Sequence, residues 1–389
     1  MSKLCSFTRV FNIPELGDYI CDLFYINESE ERRSSHSDED EETDIAALMS
    51  LLCTCKATFR PAARRIWGTP VQVERLLTIL PGISVVKVNP SLRLSYWVIQ
   101  EAKVPEYTAP TFLTRFKLYA PYIKSLRVEN VFWPDDWTDY GETVCSVAKR
   151  LLEKSAEEGT LLPNLKSLAI TANEGCPYNP ERLDWATVLL SSSISSLKLI
   201  GIDMGIEKTR LKRSRMEFTT AALRKCVNIE KLELEFFHDD QGSLSGLLPG
   251  FFDSGMPKLS RLRRLVCRQS TLCPELLQWL QSIPNIESLV LDGLNPESDL
   301  PIIPPISPDA FSSLKFLGLY VNRLEPAIRL FQTPLVHHLS ILAVDYCPGI
   351  SFDDTQLLQD FVTQVKKSCP GLTRRRWPPL YNEPADWVI

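Results

Sequence analysis

The side chains able to do chemistry in this chain of 389 residues are few and scattered. Four histidines are present. His238 is followed by Asp239 and Asp240, a set that can hold a metal ion or run acid–base chemistry. It comes directly after a predicted strand, where polar turn residues belong, and the turn reading is preferred. His337 and His338 stand just before another predicted strand and read as turn or edge residues; His36 sits in a run of acids. Eleven cysteines are spread along the chain. The closest pair, Cys53 and Cys55, lacks CxxC spacing and a partner pair, so it does not describe a zinc site. The chain has no GxGxxG, no phosphate-binding glycine loop, no HExxH and no GxSxG. No catalytic residue, metal site or cofactor is therefore expected.

The remaining charge patterns point to surface roles. Lys208-Thr209-Arg210-Leu211-Lys212-Arg213-Ser214-Arg215 has the composition of a nuclear import signal or phosphate patch, and equally of a solvated loop between repeats. Ser34, Ser35 and Ser37 lie among acids, and their phosphorylation would add charge to an already acidic segment. Net charge is −5, hydrophobic residues make up 44% and charged residues 23%. That balance describes a globular chain without general attraction for nucleic acid or anionic membrane. No apolar run approaches the roughly 20 residues of a membrane span. Met1 to Phe11 shows no secretory signal pattern, and an odd number of cysteines within apolar patterns reads as reduced thiol. Both features place the chain in the cytoplasm, the nucleus or both.

Recognition by shape then becomes the question, and it depends on the elements. The stretch from Glu28 to Asp44 is almost devoid of apolar residues and is expected to be a mobile acidic loop. It separates two segments with helical periodicity. The first, Ile13 to Ile26, has Pro14 in its first turn and Leu16, Ile20, Leu23 and Phe24 at helical spacing. The second, Asp44 to Trp67, puts Ile45, Leu48, Leu51, Leu52, Cys55 and Phe59 on one face. Pro61 is expected to break it, leaving Ala62 to Trp67 as a short third piece. Thr69 and Pro70 are expected to open a further helix through Leu77.

A repeat dominates the rest of the chain. Eight segments follow the pattern apolar-x-x-Leu-x-apolar, and their central leucines are Leu126, Leu168, Leu197, Leu232, Leu265, Leu289, Leu317 and Leu342. The segments begin at Ile123, Leu165, Ile194, Ile229, Leu262, Ile286, Leu314 and Leu339, from 24 to 42 residues apart. Leucine-rich repeats usually run to roughly 20–29 residues. Such a loose pattern arises by chance, but an invariant central leucine and shared lead-ins do not. The lead-ins are Leu162-Pro163-Asn164, Val227-Asn228, Ile283-Pro284-Asn285 and Phe311-Ser312-Ser313. Helical stretches fall between segments: Asn179-Pro180 to Leu190, Pro274 through Leu280, and Ser351 to Lys367. Each unit thus reads as strand, turn, helix, stacked so that neighbours bury the leucines. The alternating Lys124, Arg127, Lys166, Lys198, Lys231, Glu233, Glu287 and Lys315 are expected to face outward on the concave sheet, either to hold a partner or simply to solvate it.

The N-terminal pattern resembles an F-box: Ile13-Pro14-Glu15-Leu16, Ile20, Leu23, Leu48, Leu51, Cys55, Phe59 and a closing Trp67. With the leucine segments behind it, the chain is similar to the F-box proteins abundant in mushroom-type fungi. CKATFRPAARRIWGTPVQVERLLTILPGI and RFKLYAPYIKSLRV are the stretches most like that set. The acidic insert is longer than usual there, and Phe59 stands where many F-boxes carry tryptophan. The resemblance implies an α/β fold: a leucine-rich repeat horseshoe, strands on the concave face and helices on the convex face, behind a small all-helical segment. It implies an F-box-like segment over 8–70 with a disordered insert at 28–43, a helical or linker region over 71–115, the solenoid over 116–380 and a tail over 381–389. It also implies a non-catalytic recognition subunit of a ubiquitin ligase. Pro14, Leu16, Ile20, Leu23, Leu48, Leu51 and Phe59 would dock on the S-phase-kinase-associated adaptor, which binds a cullin scaffold, and the repeats would hold a target protein. A leucine-rich scaffold without a ligase role is the alternative.

Overall fold

The computed structural model describes residues 13–23, 38–54, 56–68, 70–79, 83–91, 94–101, 114, 116–129, 131–132, 161–171, 187–200, 219–235, 259–268, 274–294, 306–307, 310–321, 324–346 and 355–376. His238 to Asp240, the basic run 208–215, Ser34 to Ser37, the expected helix over 179–186 and the tail over 381–389 lie outside them; the end of that expected helix is a single 3-10 turn, Thr187–Leu189. The chain forms two compact units, residues 1–169 and 170–389. The division falls within the leucine segment at Ser167–Thr171.

In the first unit the periodic apolar residues form helices α1 (Pro14–Asp22), α2 (Asp38–Thr54) and α3 (Lys56–Gly68). Two expectations are corrected. Residues 38–43 are helical, not a loop: the acidic run 38–42 falls at a helix N-terminus, where the macrodipole favours negative charge. Pro61 does not break α3 and is buried inside it. So near the helix start, it forfeits a single backbone hydrogen bond. The buried Thr58 hydroxyl, near the start of α3, donates back to the Leu51 carbonyl in α2.

A further correction concerns residues 71–115. Helix is confined there to α4 (Val73–Thr78), preceded by the short strand β1 (Val71–Gln72). Strands β2 (Ile83–Ser91) and β3 (Leu94–Glu101) form an antiparallel hairpin, and β5 (Val131–Phe132) joins β3 in parallel. The stretch is rich in β-branched and aromatic residues such as Val85, Val86, Tyr96, Trp97 and Ile99, which suit pleated strands better than helix. Between β3 and β5 in the chain lies β4 (Ser125–Glu129), the first leucine segment, which pairs in parallel with β1.

Every leucine segment is a strand. After β4 come β6 (Ser167–Thr171), β7 (Ser196–Ile200), β8 (Lys231–Glu235), β9 (Arg264–Arg268), β10 (Ser288–Leu294), β11 (Phe316–Val321) and β12 (Ile341–Tyr346). In the second unit β7 to β12 run parallel in chain order, and β13 (Arg374–Arg376) extends the sheet beyond β12. The register aligns Leu197, Leu232, Leu265, Leu289, Leu317 and Leu342. The central leucine is at most 1% exposed in every segment of both units, and the flanking apolar positions are buried as well. Each such leucine contributes roughly 1.5–3 kcal/mol by leaving water. Helices α5 (Pro274–Gln281), α6 (Leu324–Leu330) and α7 (Thr355–Ser368) occur between strands. Leu280, Leu324, Ala327, Leu330 and Phe361 are buried, and the Phe331 and Phe361 rings meet edge-on at 5.4 Å.

The lead-ins explain how one repeat addresses the next. A tight turn precedes the strands: the N–H of Ile123, Leu165, Ile194, Ile229, Leu262, Leu314, Leu339 and Leu372 each donates to the carbonyl three residues back. The residue opening each turn is buried, Leu162, Cys226, Leu259 and Val336 among them. The turn's polar side chain then reaches the preceding repeat. Asn164 donates to the Pro121 carbonyl at 2.7 Å, Asn228 to Ser192 at 2.8 Å, Asn285 to Ser260 at 2.7 Å and Ser313 to Pro284 at 3.3 Å. Side-chain amides thereby satisfy carbonyls that the turns leave outside the ladder.

Candidate functional site

Two surfaces stand out, one in each unit. In the first, α1 begins with Ile13 extended and Pro14 at its first position, and the N–H groups of Leu16 and Gly17 close onto the Ile13 carbonyl. Gly17 and Cys21 face inward, with Cys21 1% exposed. Burial pushes the Cys21 thiol up to about 11; Asp18 and Asp22 add to the rise and Arg65 opposes it. Asp18 pairs with Arg64 at 2.6 Å and Asp22 with Arg65 at 3.8 Å, fastening α1 to α3. The other side of α1 is apolar and open to water: Ile13 is 48% exposed, Leu16 43%, Tyr19 64% and Leu23 68%. Their spacing follows one helical stripe. Four large apolar residues over the eleven from Ile13 to Leu23, helix and both caps, amount to a patch that a self-contained surface does not need.

The residues expected to form one docking face therefore separate. Leu16 and Leu23 are exposed, and Ile20 and Leu51 are half-buried. Leu48 is fully buried within the helical core. Phe59 is half-buried, with its ring 5.8 Å from Tyr119 and 6.3 Å from Tyr122. Pro14 starts α1. Ile13 opens the F-box-like pattern, but Tyr19 escaped the sequence reading: a tyrosine directly after Asp18 does not look like part of an apolar stripe until the helix phase is known.

In the second unit the candidate is the outward face of the sheet. The residue after each central leucine points away from the core, and the register lines up Lys198, Glu233, Val266, Val290, Gly318 and Ala343. Its character changes along the row. Lys198 and Glu233 form an ion pair at 3.2 Å, and beyond them every residue is apolar or glycine. The next outward rows add Arg264 and Phe316 at strand starts and Tyr320 and Asp345 towards strand ends. Together these residues line an open depression of about 200 Å³. Gly318 shapes it, because a Cβ there would meet Val290 Cγ2 at 3.2 Å and Phe316 Cε1 at 3.3 Å. The missing side chain lets the Phe316 ring lie against the strand.

The expected concave-face charges divide as well. Lys198, Lys231 and Glu233 sit on the outward face. Glu287 and Lys315 instead occupy the residue just before a strand, where Glu287 pairs with Arg263 at 2.6 Å and Lys315 is exposed. Lys124, Arg127 and Lys166 belong to the first unit; Lys124 and Lys166 hold the corresponding pre-strand position there. The apolar floor was missed because Val266, Val290 and Ala343 read as ordinary strand residues.

Other chemistry is sparse. No group of three or more His, Cys, Asp or Glu side chains able to hold a metal ion occurs among the described residues. His337 and His338 are exposed and follow the short turn of Pro334–Val336. Among the described residues no helix is long and apolar enough to cross a membrane.

No family model matches the chain. No curated protein matches it either. Among solved structures, the leucine-rich repeat-containing protein LegL7 from Legionella pneumophila is similar over 68% of this chain and 80% of its own, with 15% identity and a TM-score of 0.35. A likeness that slight carries no argument. The leucine register and the buried ladder stand on the coordinates alone, and they fit a leucine-rich α/β solenoid.

Proposed function

We propose that the chain is a non-catalytic substrate-recognition subunit of a cullin-based ubiquitin ligase. In this reading α1, with the helices beneath it, docks on the S-phase-kinase-associated adaptor, and the outward sheet face of the second unit holds a target protein. The observation that carries it is the exposed stripe Ile13, Leu16, Tyr19 and Leu23, held in place by the Asp18–Arg64 and Asp22–Arg65 pairs. A helix fixed by ion pairs with its apolar side in water is organised to bind something apolar. The chain would contribute no reactive group. It would raise the effective concentration of a target lysine near a charged conjugating enzyme. Its place of action would be the cytoplasm, the nucleus or both.

Co-purification of the full chain with the adaptor tests this. A stable complex, lost in Leu16→Asp/Leu23→Asp while circular dichroism stays unchanged, is the expected result. Both residues are exposed, so the variant should fold.

The second reading is a protein-binding scaffold without a ligase role. Buried Leu48, and Phe59 in contact with Tyr119 and Tyr122, favour it by narrowing the open face to α1 and its surroundings. A wild-type chain that fails to hold the adaptor selects this reading.

A further inference from the structure

The outward face of the second unit has a chemical polarity that specifies its occupant more closely than "a protein". The floor residues Val266, Val290, Gly318 and Ala343 come one from each of β9 to β12 and lie in register. Their depression of about 200 Å³ is smaller than the roughly 300–1,000 Å³ of small-molecule pockets. It suits side chains protruding from a larger partner. The two edges of the floor differ in charge. At the strand starts Lys231 and Arg264 are exposed on the outward face, and just before the strands Lys315 is exposed while Glu287 is paired with Arg263; Lys231, Arg264 and Lys315 have no ion-pair partner among the described residues. Towards the strand ends Asp345 lines the depression, and its register row runs through Tyr320 to Asp292 on β10, with Arg268 beginning it on β9.

We propose that this face docks an amphipathic α-helix of a partner protein lying across β9 to β12, with its apolar stripe on the floor, acidic residues along the strand starts and basic residues along the Asp345 edge. The proposal rests on the protein-binding reading above. Three dimensions support it. Neighbouring strands are about 4.8 Å apart, and a helix advances about 5.4 Å per turn. Each turn therefore meets one strand, drifting only about 2 Å across the four. An extended peptide repeats its same-face side chains every 6.6 Å or so and falls out of step at once. From the Arg264 row to the Asp345 row is four residues along a strand, about 13 Å, which matches a helix diameter of about 10–12 Å.

The test uses the full chain and three labelled synthetic peptides of about 18 residues, or five helical turns. The first carries leucines at helical spacing with glutamates along one flank and lysines along the other. The second has lysines on both flanks, and the third has the first's composition with a central proline that breaks the helix. By fluorescence anisotropy the first is expected to bind at least about 10-fold tighter than either control, the charge match supplying the preference over the second. Arg264→Glu and Val290→Lys should each weaken it about 10-fold or more, as loss of a charge match or an apolar contact does. Both residues lie outside the leucine core, and Arg264→Glu alone carries the test if Val290→Lys perturbs folding. Equal binding of the first two peptides, undiminished binding of the proline peptide, no effect of Arg264→Glu, or no binding at all overturns the proposal. The adaptor experiment on the same preparation separates the two readings. A chain that holds the adaptor but not the peptide loses only the helix proposal, and one that binds the peptide but not the adaptor loses only the ligase reading.

Discussion

Along β9 to β12 the inward row reads Leu265, Leu289, Leu317 and Leu342, and one residue later the outward row reads Val266, Val290, Gly318 and Ala343. The first row repeats because its members meet the same surroundings: Leu265, Leu289 and Leu317 have a leucine on both sides, and Leu342 has one on its β11 side. The second row varies because it faces away from the stack, with Gly318 alone held small by Val290 and Phe316 beside it. Extended back to β7 and β8 the contrast deepens: the inward row continues with Leu197 and Leu232, whereas the outward row turns into the Lys198–Glu233 ion pair. Uniformity therefore marks the residues that hold the stack together. Departure from uniformity marks where a partner can be distinguished.

Substitutions one residue apart put this contrast at risk. Leu289→Ala, at a fully buried site, should cost about 2–5 kcal/mol. Val290→Ala, half-buried on the other face, should cost no more than about 1.5 kcal/mol. Urea unfolding midpoints of the two variants decide it; similar losses would erase the distinction between the faces. The inward row should also carry a pH signature. Burial alone pushes the Cys267 thiol from 9.0 up to about 12. The fold thus keeps the thiol neutral while the unfolded chain ionises it, so this stabilisation is complete below pH 9 and fades as pH climbs towards 12. The slope is at most about 1.4 kcal/mol per pH unit. Comparing urea midpoints at pH 8 and pH 10.5 for wild type and Cys267→Val isolates the thiol from other titrating groups, and equal drops in both proteins would refute it.

Smaller effects sharpen the picture. Asn285→Ala strips the Ser260 carbonyl of its donor and should cost about 1 kcal/mol, with amide exchange accelerating around β9 and β10. Glu233→Gln breaks an outward ion pair that is part exposed on both sides, and the midpoint should shift by under about 1 kcal/mol, less in high salt. A larger shift from Glu233 than from Asn285 would mean that the outward face also holds the repeats together.

The sequence reveals these two rows unequally. A leucine recurring between two apolar positions identifies all eight strands, because period-two alternation onto a core leaves little freedom at those sites. The lead-ins point to the turns, although only the coordinates show Asn164, Asn228 and Asn285 crossing to the preceding repeat. Strand β13 went unnoticed because Arg375 stands in the leucine row, yet its lead-in Cys369-Pro370-Gly371-Leu372 follows the pattern of the others. At the docking surfaces the sequence is less informative. Leu48 and Leu16 have the same type and both fit helical spacing, but one is core and the other is 43% exposed. Only the packing of α2 and α3 tells them apart. Charged residues drew the eye on the sheet, whereas the depression is floored by small apolar ones whose outward direction follows from register.

Strand β13 pairs with β12 on one side and ends the strand order among the described residues. A stack of identical steps has no internal reason to stop, and a bare parallel edge invites the first strand of another molecule to continue it. Three consecutive arginines, Arg374 to Arg376, form that last step. A strand laid against it would find Arg375 in the register row that leucine holds in β7 to β12. Among the described residues the leucine ladder therefore offers no matching step beyond β12.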